Sequence, residues 1–196
     1  MRTSIKEIRR QDLVKAAYLT LKENGIQGLT IKKVAERAQM SPGIVHHYFK
    51  DKRELTEATI RYSNGLISKR ATEYLSTATT PGQRLYAVIQ ANFDPDIYEP
   101  RLAQTWLSYC AAVADEPVFG RIQRALRRRL ISNLLSPLRQ LAASDDVRAI
   151  AHQVAVMIDG LWVQRGMDGE AISPDTARDC VLALLRRSGI NATPPR

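Results

Sequence analysis

What the 196-residue chain lacks already narrows its class. No stretch sustains period-two alternation, so no strands are expected. No run approaches the ~18 apolar residues of a membrane span. The opening MRTSIKEIRRQ has charges with no apolar run behind them, so no export signal is expected. There are two cysteines, Cys110 and Cys180, both in apolar helical patterns. They read as buried free thiols in a reducing cytosol, and the protein is expected there. Histidine is scarce. His46 and His47 are adjacent, so on a helix they point about 100° apart and chelate poorly; no metal is expected. Glycine-rich phosphate loops, nucleophile elbows and Cys/His ligand spacings are all missing, and His152 has no nucleophile placed beside it. The reading is no enzyme and no cofactor.

Acidic residues are also short, and unevenly so. Residues 1–61 hold 13 Lys+Arg against 7 Asp+Glu, and residues 62–196 hold 16 against 13. The basic excess sits at the amino end, as phosphate neutralisation would need, although a solubilising surface would look the same.

That amino end contains Thr30 to Lys52, TIKKVAERAQMSPGIVHHYFKDK, which predicts two short helices and a tight turn. Thr30 is a candidate N-cap. Ile31, Val34, Ala35 and Ala38 give the first helix a buried face. Gln39-Met40 makes the turn. Ser41 caps the second helix, and Pro42 suits its first position. Val45 and Phe49 form the inner face; Gly43, Ile44, His46, His47 and Tyr48 form the outer one. This is the helix-turn-helix pattern for DNA. Gly43 permits close approach to a duplex, and Ile44 suits a thymine methyl. His46 and His47 suit hydrogen bonds to phosphate or a base edge, and Tyr48 a phosphate or the core. Thr30, Lys32 and Lys33 open a helix, where N–H groups and positive charge favour phosphate. Lys52 opens the next helix and aims at the DNA backbone.

Ser41-Pro42-Gly43-Ile44-Val45-His46-His47-Tyr48-Phe49-Lys50-Asp51-Lys52 resembles the DNA-binding motif of the TetR family of one-component bacterial repressors. The resemblance implies an all-α protein. A three-helix head, residues 1–50, would bind DNA, and a body of five or six helices, residues 51–196, would bind ligand and dimerise. It also implies a two-fold dimer on a palindromic operator, a small-molecule effector, and a long helix that moves the head when ligand binds. In the family, N-terminal residues such as Arg2, Lys6, Arg9 and Arg10 can reach DNA. The family's turn glycine is replaced here by Gln39; a positive φ there would cost about 1 kcal/mol relative to glycine.

Along the chain, residues 1–7 read as a loose basic arm and Ile8–Glu23 as a helix stopped by Asn24-Gly25. Asp51 and Glu54 fit a capping box for a helix reaching about Leu75, and Thr80-Pro81-Gly82-Gln83 reads as another cap with Pro at the first position. Body helices are expected near 81–93, 99–114, 117–142, 146–166 and 174–188, with breaks at Asp94-Pro95, Asp115 to Pro117, Ser144-Asp145 and Gly166 to Pro174. The tail NATPPR reads as disordered. The last two helices are the dimer candidates, through Val154, Ile158, Leu161, Val181, Leu184 and Leu185.

Several body strings are similar to the choline-responsive subgroup (BetI type) that represses glycine-betaine synthesis. They are Asn92-Phe93-Asp94, Trp106-Leu107, Arg129 to Leu134 and Ile158 to Trp162. The resemblance points to Phe93, Trp106, Tyr109, Asp159 and Trp162 as effector contacts. Nine of the 12 aromatic residues lie after residue 61. Trp106 and Tyr109 share a helical face, as do Asp159 and Trp162. A carboxylate in the run VAVMIDGLWV is costly unless paired. One reading is a box for a quaternary ammonium; the other pairs Asp159 with an arginine or with backbone at a dimer interface and leaves the tryptophans as core. Arg121, Arg124, Arg127, Arg128 and Arg129 read as a solvated face or as a second nucleic-acid patch.

Overall fold

The structure is a computed structural model that describes residues 4–142, 146–169 and 172–195, and every regular element among them is α-helical. The chain divides into two compact units, Met1–Gly65 and Leu66–Arg196.

In the first unit, α1 (Ile5–Gly28) starts earlier than expected, because the Ser4 hydroxyl accepts from the Glu7 N–H and caps it. The loose arm through residue 7 is therefore corrected to helix from Ile5, while Arg2 lies outside the described residues. Gly25, at φ 67°, interrupts the helix where Asn24-Gly25 was read as a stop. Helix α2 (Ile31–Arg37) is capped by Thr30, whose hydroxyl accepts from Lys33 N–H at 3.2 Å. Helix α3 (Pro42–Tyr48) follows, with Pro42 in its first turn. Leu13, Ala17, Leu29, Val34, Val45, Phe49 and Leu55 are fully buried and make the core. The Arg10 guanidinium lies 4.8 Å over the Phe49 ring, and Arg37 pairs with Glu23.

The α2–α3 turn is a Schellman closure: Met40 N–H donates to Ala35 C=O at 2.9 Å and Gln39 N–H to Glu36 C=O at 3.1 Å. The residue between must be left-handed, and Gln39 has φ 55°. Gln39→Gly should therefore stabilise this unit by about 0.5 kcal/mol: the ~1–2 kcal/mol of left-handed strain is released, and glycine's freedom in the unfolded chain takes part of it back. Urea unfolding read by circular dichroism checks the sign.

Helix α4 (Lys52–Ser76) has Asp51 at its start; Asp51 Oδ1 accepts from Glu54 N–H at 2.8 Å. Glu54 reaches back to Lys50 N–H, one residue before the expected cap, so the box is offset.

The second unit continues with α5 (Pro81–Asn92), α6 (Pro100–Ala112), α7 (Pro117–Leu141), α8 (Val147–Met167) and α9 (Pro174–Arg187). Each except α8 has proline in its first turn. Thr80 is the expected cap, and Gln83 completes a full capping box with it. The break at Ser144-Asp145 lies outside the described residues, and α8 runs through Gly166 to Met167. Leu85, Ile89, Leu134, Leu138, Val154, Ile158, Val181 and Leu185 form one core. This corrects the dimer expectation: Val154, Ile158, Leu161, Val181 and Leu185 are buried within the chain and Leu184 packs against them, so none of the five buried residues is free for a partner. Period alone marks an apolar stripe and does not say what covers it.

Two further expectations change. Cys180 is exposed on α9, and Cys110 is half-buried on α6. The tail is laid down: Ile190 is buried, Ala192 packs on the core, and the Asn191 carbonyl lies where a Cβ on Gly82 would come within 2.8 Å of it. Arg196 lies outside the described residues.

Candidate DNA-binding face and candidate effector site

The outer face of α3 is open to solvent. His46, His47, Gly43, Pro42 and Ser41 are exposed, Ile44 is 38% exposed and Tyr48 is half-buried. Val45 and Phe49 anchor the opposite side in the core, so the helix is held rigidly while its outer face carries no packing duty. The His47 and Tyr48 rings meet edge to face at 5.1 Å. The Ser41 hydroxyl makes no capping hydrogen bond. Of the lysines, Lys32 and Lys52 are exposed, and Lys33 Nζ donates to Asn24 Oδ1 at 3.0 Å. Thr30 is exposed, with its hydroxyl engaged as the α2 cap.

The five expected effector residues fall into two groups within the body. Trp106 and Tyr109 on α6 stack at 5.2 Å, and Tyr109 also meets Phe119 and donates its hydroxyl to the Phe119 carbonyl at 2.9 Å. Phe93 and Trp162 belong to a second group joined through Tyr98, with edge-to-face centroids at 5.2 Å on either side. Trp162 Nε1 donates to the Asn92 carbonyl at 3.2 Å. Phe93 and Tyr109 are each 1% exposed, so both are core residues in this conformation.

Asp159 on α8 is paired: Arg127 of α7 donates to its Oδ2 at 3.0 Å. Burial still raises the carboxyl above its ordinary value, with Arg127 opposing. Asp159 in turn acts on Cys110, whose thiol is pushed up to about 11, mainly by burial and then by that charge. Asp159 therefore sits on the helix packed against α6, which carries Cys110. The tight seam between α6 and α8 has a simple cause: Gly166 lets the helices meet, and a Cβ there would lie 2.8 Å from the Ala103 carbonyl oxygen. Because Cys110 holds its proton until far above neutrality while Cys180 is exposed, a thiol reagent at pH 8 should label Cys180 quickly and Cys110 slowly; two phases of one equivalent each would check this.

Pairing of Asp159 with an arginine was one of the two expected readings but the arginine was not identified, and two further groupings escaped the sequence reading. The Arg127 partner of Asp159 is 32 residues away. Arg165 stacks its guanidinium 5.4 Å over the Tyr98 ring and donates to the Ile172 carbonyl, so the second aromatic group already holds a cation. Asp94, read as part of a helix break, is buried at 3% exposure; it accepts from the Tyr74 hydroxyl at 2.8 Å and pairs with Arg70 Nε at 3.2 Å. Arg70 also reaches Asp96 at 2.6 Å. Hydrogen bonding to Glu73 and the charge of Asp94 raise Arg70 above its ordinary value, and burial followed by the bond to Asp94 raises Tyr74. Asp94 directly follows Phe93, so the aromatic group and α4 are tied within four side chains. The only available signal was an acidic residue on each side of Pro95.

Among the described residues no three His, Cys, Asp or Glu side chains are grouped to hold a metal, and no helix is long and apolar enough to cross a membrane.

A two-helix motif with an unobstructed outer face, on a three-helix unit followed by a helical body, defines a helix-turn-helix transcriptional regulator. Residues 13–59 match the family described as bacterial regulatory proteins, tetR family, and residues 81–188 match the BetI-type transcriptional repressor C-terminal domain. The chain is 33% identical over 196 residues to the HTH-type transcriptional regulator BetI of Cronobacter sakazakii, covering 98% of this chain and 96% of that protein. It is 36% identical over 174 residues to its namesake in Burkholderia mallei, covering 88% and 89%. Among solved structures, a transcriptional regulator from Pseudomonas aeruginosa PAO1 is similar at TM-score 0.75 and 25% identity, covering 93% of this chain and 90% of that one. A regulator from Saccharomonospora viridis in complex with choline shares the fold at TM-score 0.78 and 17% identity, covering 90% and 95%. The chain belongs to the TetR family of DNA-binding transcriptional regulators and carries a BetI-type C-terminal domain.

Proposed function

We propose that this repressor senses choline or a closely related quaternary ammonium compound and controls glycine-betaine synthesis genes. The observation that carries the reading is the stacked Trp106 and Tyr109 on α6, with the Asp159 carboxylate on α8, the helix packed closely against α6. The BetI names of the relatives and the choline complex of the S. viridis regulator support it. A methylated ammonium on a ring face gains ~0.5–2 kcal/mol per ring. Asp159 supplies the countercharge; Oδ2 is held by Arg127, so the cation would face Oδ1. Phe93 and Trp162 act as the second wall, and their motion passes to α4 through Asp94, Arg70 and Tyr74.

Residues 1–50 are the DNA-binding part in this reading, and residues 51–196 bind effector and dimerise. On the head, His46, His47, Ile44 and Gly43 enter the groove, Thr30, Lys32, Lys33, Ser41, Tyr48 and Lys52 hold the phosphates on either side, and Pro42 packs against the DNA backbone. One head reads too few base pairs for a unique site, so two copies bind a palindrome. The dimer surface is the outer side of α8 and α9, where Val156 is 57% exposed. An effector that favours one head spacing by ~1–3 kcal/mol shifts occupancy about five- to 150-fold.

Calorimetry with choline, betaine aldehyde and the uncharged isostere 3,3-dimethylbutanol tests the effector. Choline should bind, the isostere should not, and Asp159→Asn should weaken choline at least about tenfold. The same substitution should not lower thermal stability at pH 7. Burial raises the Asp159 carboxyl, so its contribution to stability is present below the unfolded value and lost as pH rises through the folded one. Absence of heat with choline at millimolar concentration would remove the assignment and leave a TetR-type repressor for another ligand.

A further inference from the structure

Helix α7 carries six arginines and no carboxylate over Pro117–Leu141. Arg124, Arg127, Arg128 and Arg139 line one groove of about 710 Å³ with His152 of α8, and Ile131, Leu135, Ser132 and Ser136 complete its wall. That volume is in the range of small-molecule sites. Arg127 is held by Asp159. Arg124, Arg128 and Arg139 are exposed and have no carboxylate partner among the described residues. Arg124 and Arg128 are one helical turn apart, a like-charge spacing that disfavours the bare helix and that a bound anion would relieve. Between these cations Ile131 and Leu135 are only half-buried, although both pack on the core. A solvated arginine face needs no apolar strip through its middle.

We propose that this groove is a second ligand site, separate from the proposed cation site, that takes an amphipathic anion: a carboxylate or phosphate headgroup on an apolar body. Guanidinium groups bind either headgroup bidentately, the two serine hydroxyls add hydrogen bonds, and Ile131 and Leu135 receive the apolar part. A quaternary ammonium is repelled here by the same charges. Arg127 is unsuitable as the test residue, because its removal also strips Asp159 of its partner.

The test is calorimetry on the full-length protein at fixed ionic strength. The probes are decanoate and decyl phosphate below micelle-forming concentrations, acetate and inorganic phosphate as headgroups without a tail, and decyltrimethylammonium as the opposite charge. At least one anionic amphiphile should bind, and the tighter of the two names the headgroup. The tail-less anions and the cation should bind at least about tenfold more weakly. Arg124→Gln/Arg128→Gln should lose about tenfold or more, and Ser132→Glu, at an exposed position that folding does not depend on, should abolish binding. Absence of binding by both amphiphiles overturns the proposal, as does equal binding by the short anions or the cation, or unchanged binding by both variants. A double variant that instead loses affinity for non-operator duplex would make this a nucleic-acid patch. A double variant with altered sedimentation would make it an interface between copies. Either outcome also overturns the anion site.

Discussion

His46→Ala/Tyr48→Ala should bind the operator about 30- to 1,000-fold more weakly, in a gel shift on DNA from upstream of the gene itself. Loss of one uncharged hydrogen bond to a base edge or its phosphate neighbour costs about 1–2 kcal/mol, so the two together cost roughly 2–4 kcal/mol. The fold should survive. His46 is exposed, Tyr48 is half-buried, and the residues that hold α3 in place, Val45 and Phe49, are untouched. Tyr48→Phe keeps the ring against His47 and removes the hydroxyl alone, so it separates phosphate contact from packing. The double variant removes no lysine or arginine, so the salt dependence should change little. Lys52→Ala should instead weaken all sequences alike and reduce the salt slope by about 1 per head. Unchanged operator binding by the double variant would mean that another face of the head meets DNA.

Gly166→Leu should lower the midpoint of thermal unfolding of the body by about 6–12 °C, since a loss of about 3 kcal/mol moves a unit of this size by ~2–4 °C per kcal/mol. Its Cβ would lie 2.7 Å from Leu107 Cδ1 and 2.8 and 2.9 Å from the Ala103 carbonyl oxygen and carbon. The Leu107 side chain can turn away; the α6 backbone cannot. A full leucine against backbone that cannot give way costs about 4 kcal/mol, above the usual ~1–3 kcal/mol of overpacking, and the ~1 kcal/mol gained by replacing a helical glycine leaves a net loss of about 3 kcal/mol. Forcing α6 from α8 also displaces the Trp106–Tyr109 stack relative to α8, so under the proposed effector site choline binding should fall with stability. Gly65→Ala is the control: it is helical with open space around its Cβ position, and it should raise the midpoint. A Gly166→Leu protein as stable as its parent would show that the α6–α8 seam is loose.

The sequence by itself determined whatever depends on neighbours along the chain. Helix starts at Thr30 and Thr80 were legible because capping is chemistry between residues three or four apart, and the start of α3 was legible from Pro42, since the Ser41 hydroxyl makes no cap hydrogen bond. The α3 outer face was legible because Val45 and Phe49 leave only one side for the core, and the consequence of a left-handed Gln39 could be stated before its φ was known. Only the tertiary structure decided which apolar stripe of α8 and α9 turns inward, because VAVMIDGLWV is apolar nearly all round and periodicity does not name the covering element. The same holds for Asp159 with Arg127, for Asp94 with Arg70 and Tyr74, and for the exposed Cys180. A charged side chain's partner, or a thiol's exposure, is set by how helices far apart in sequence pack, and no local spacing encodes that.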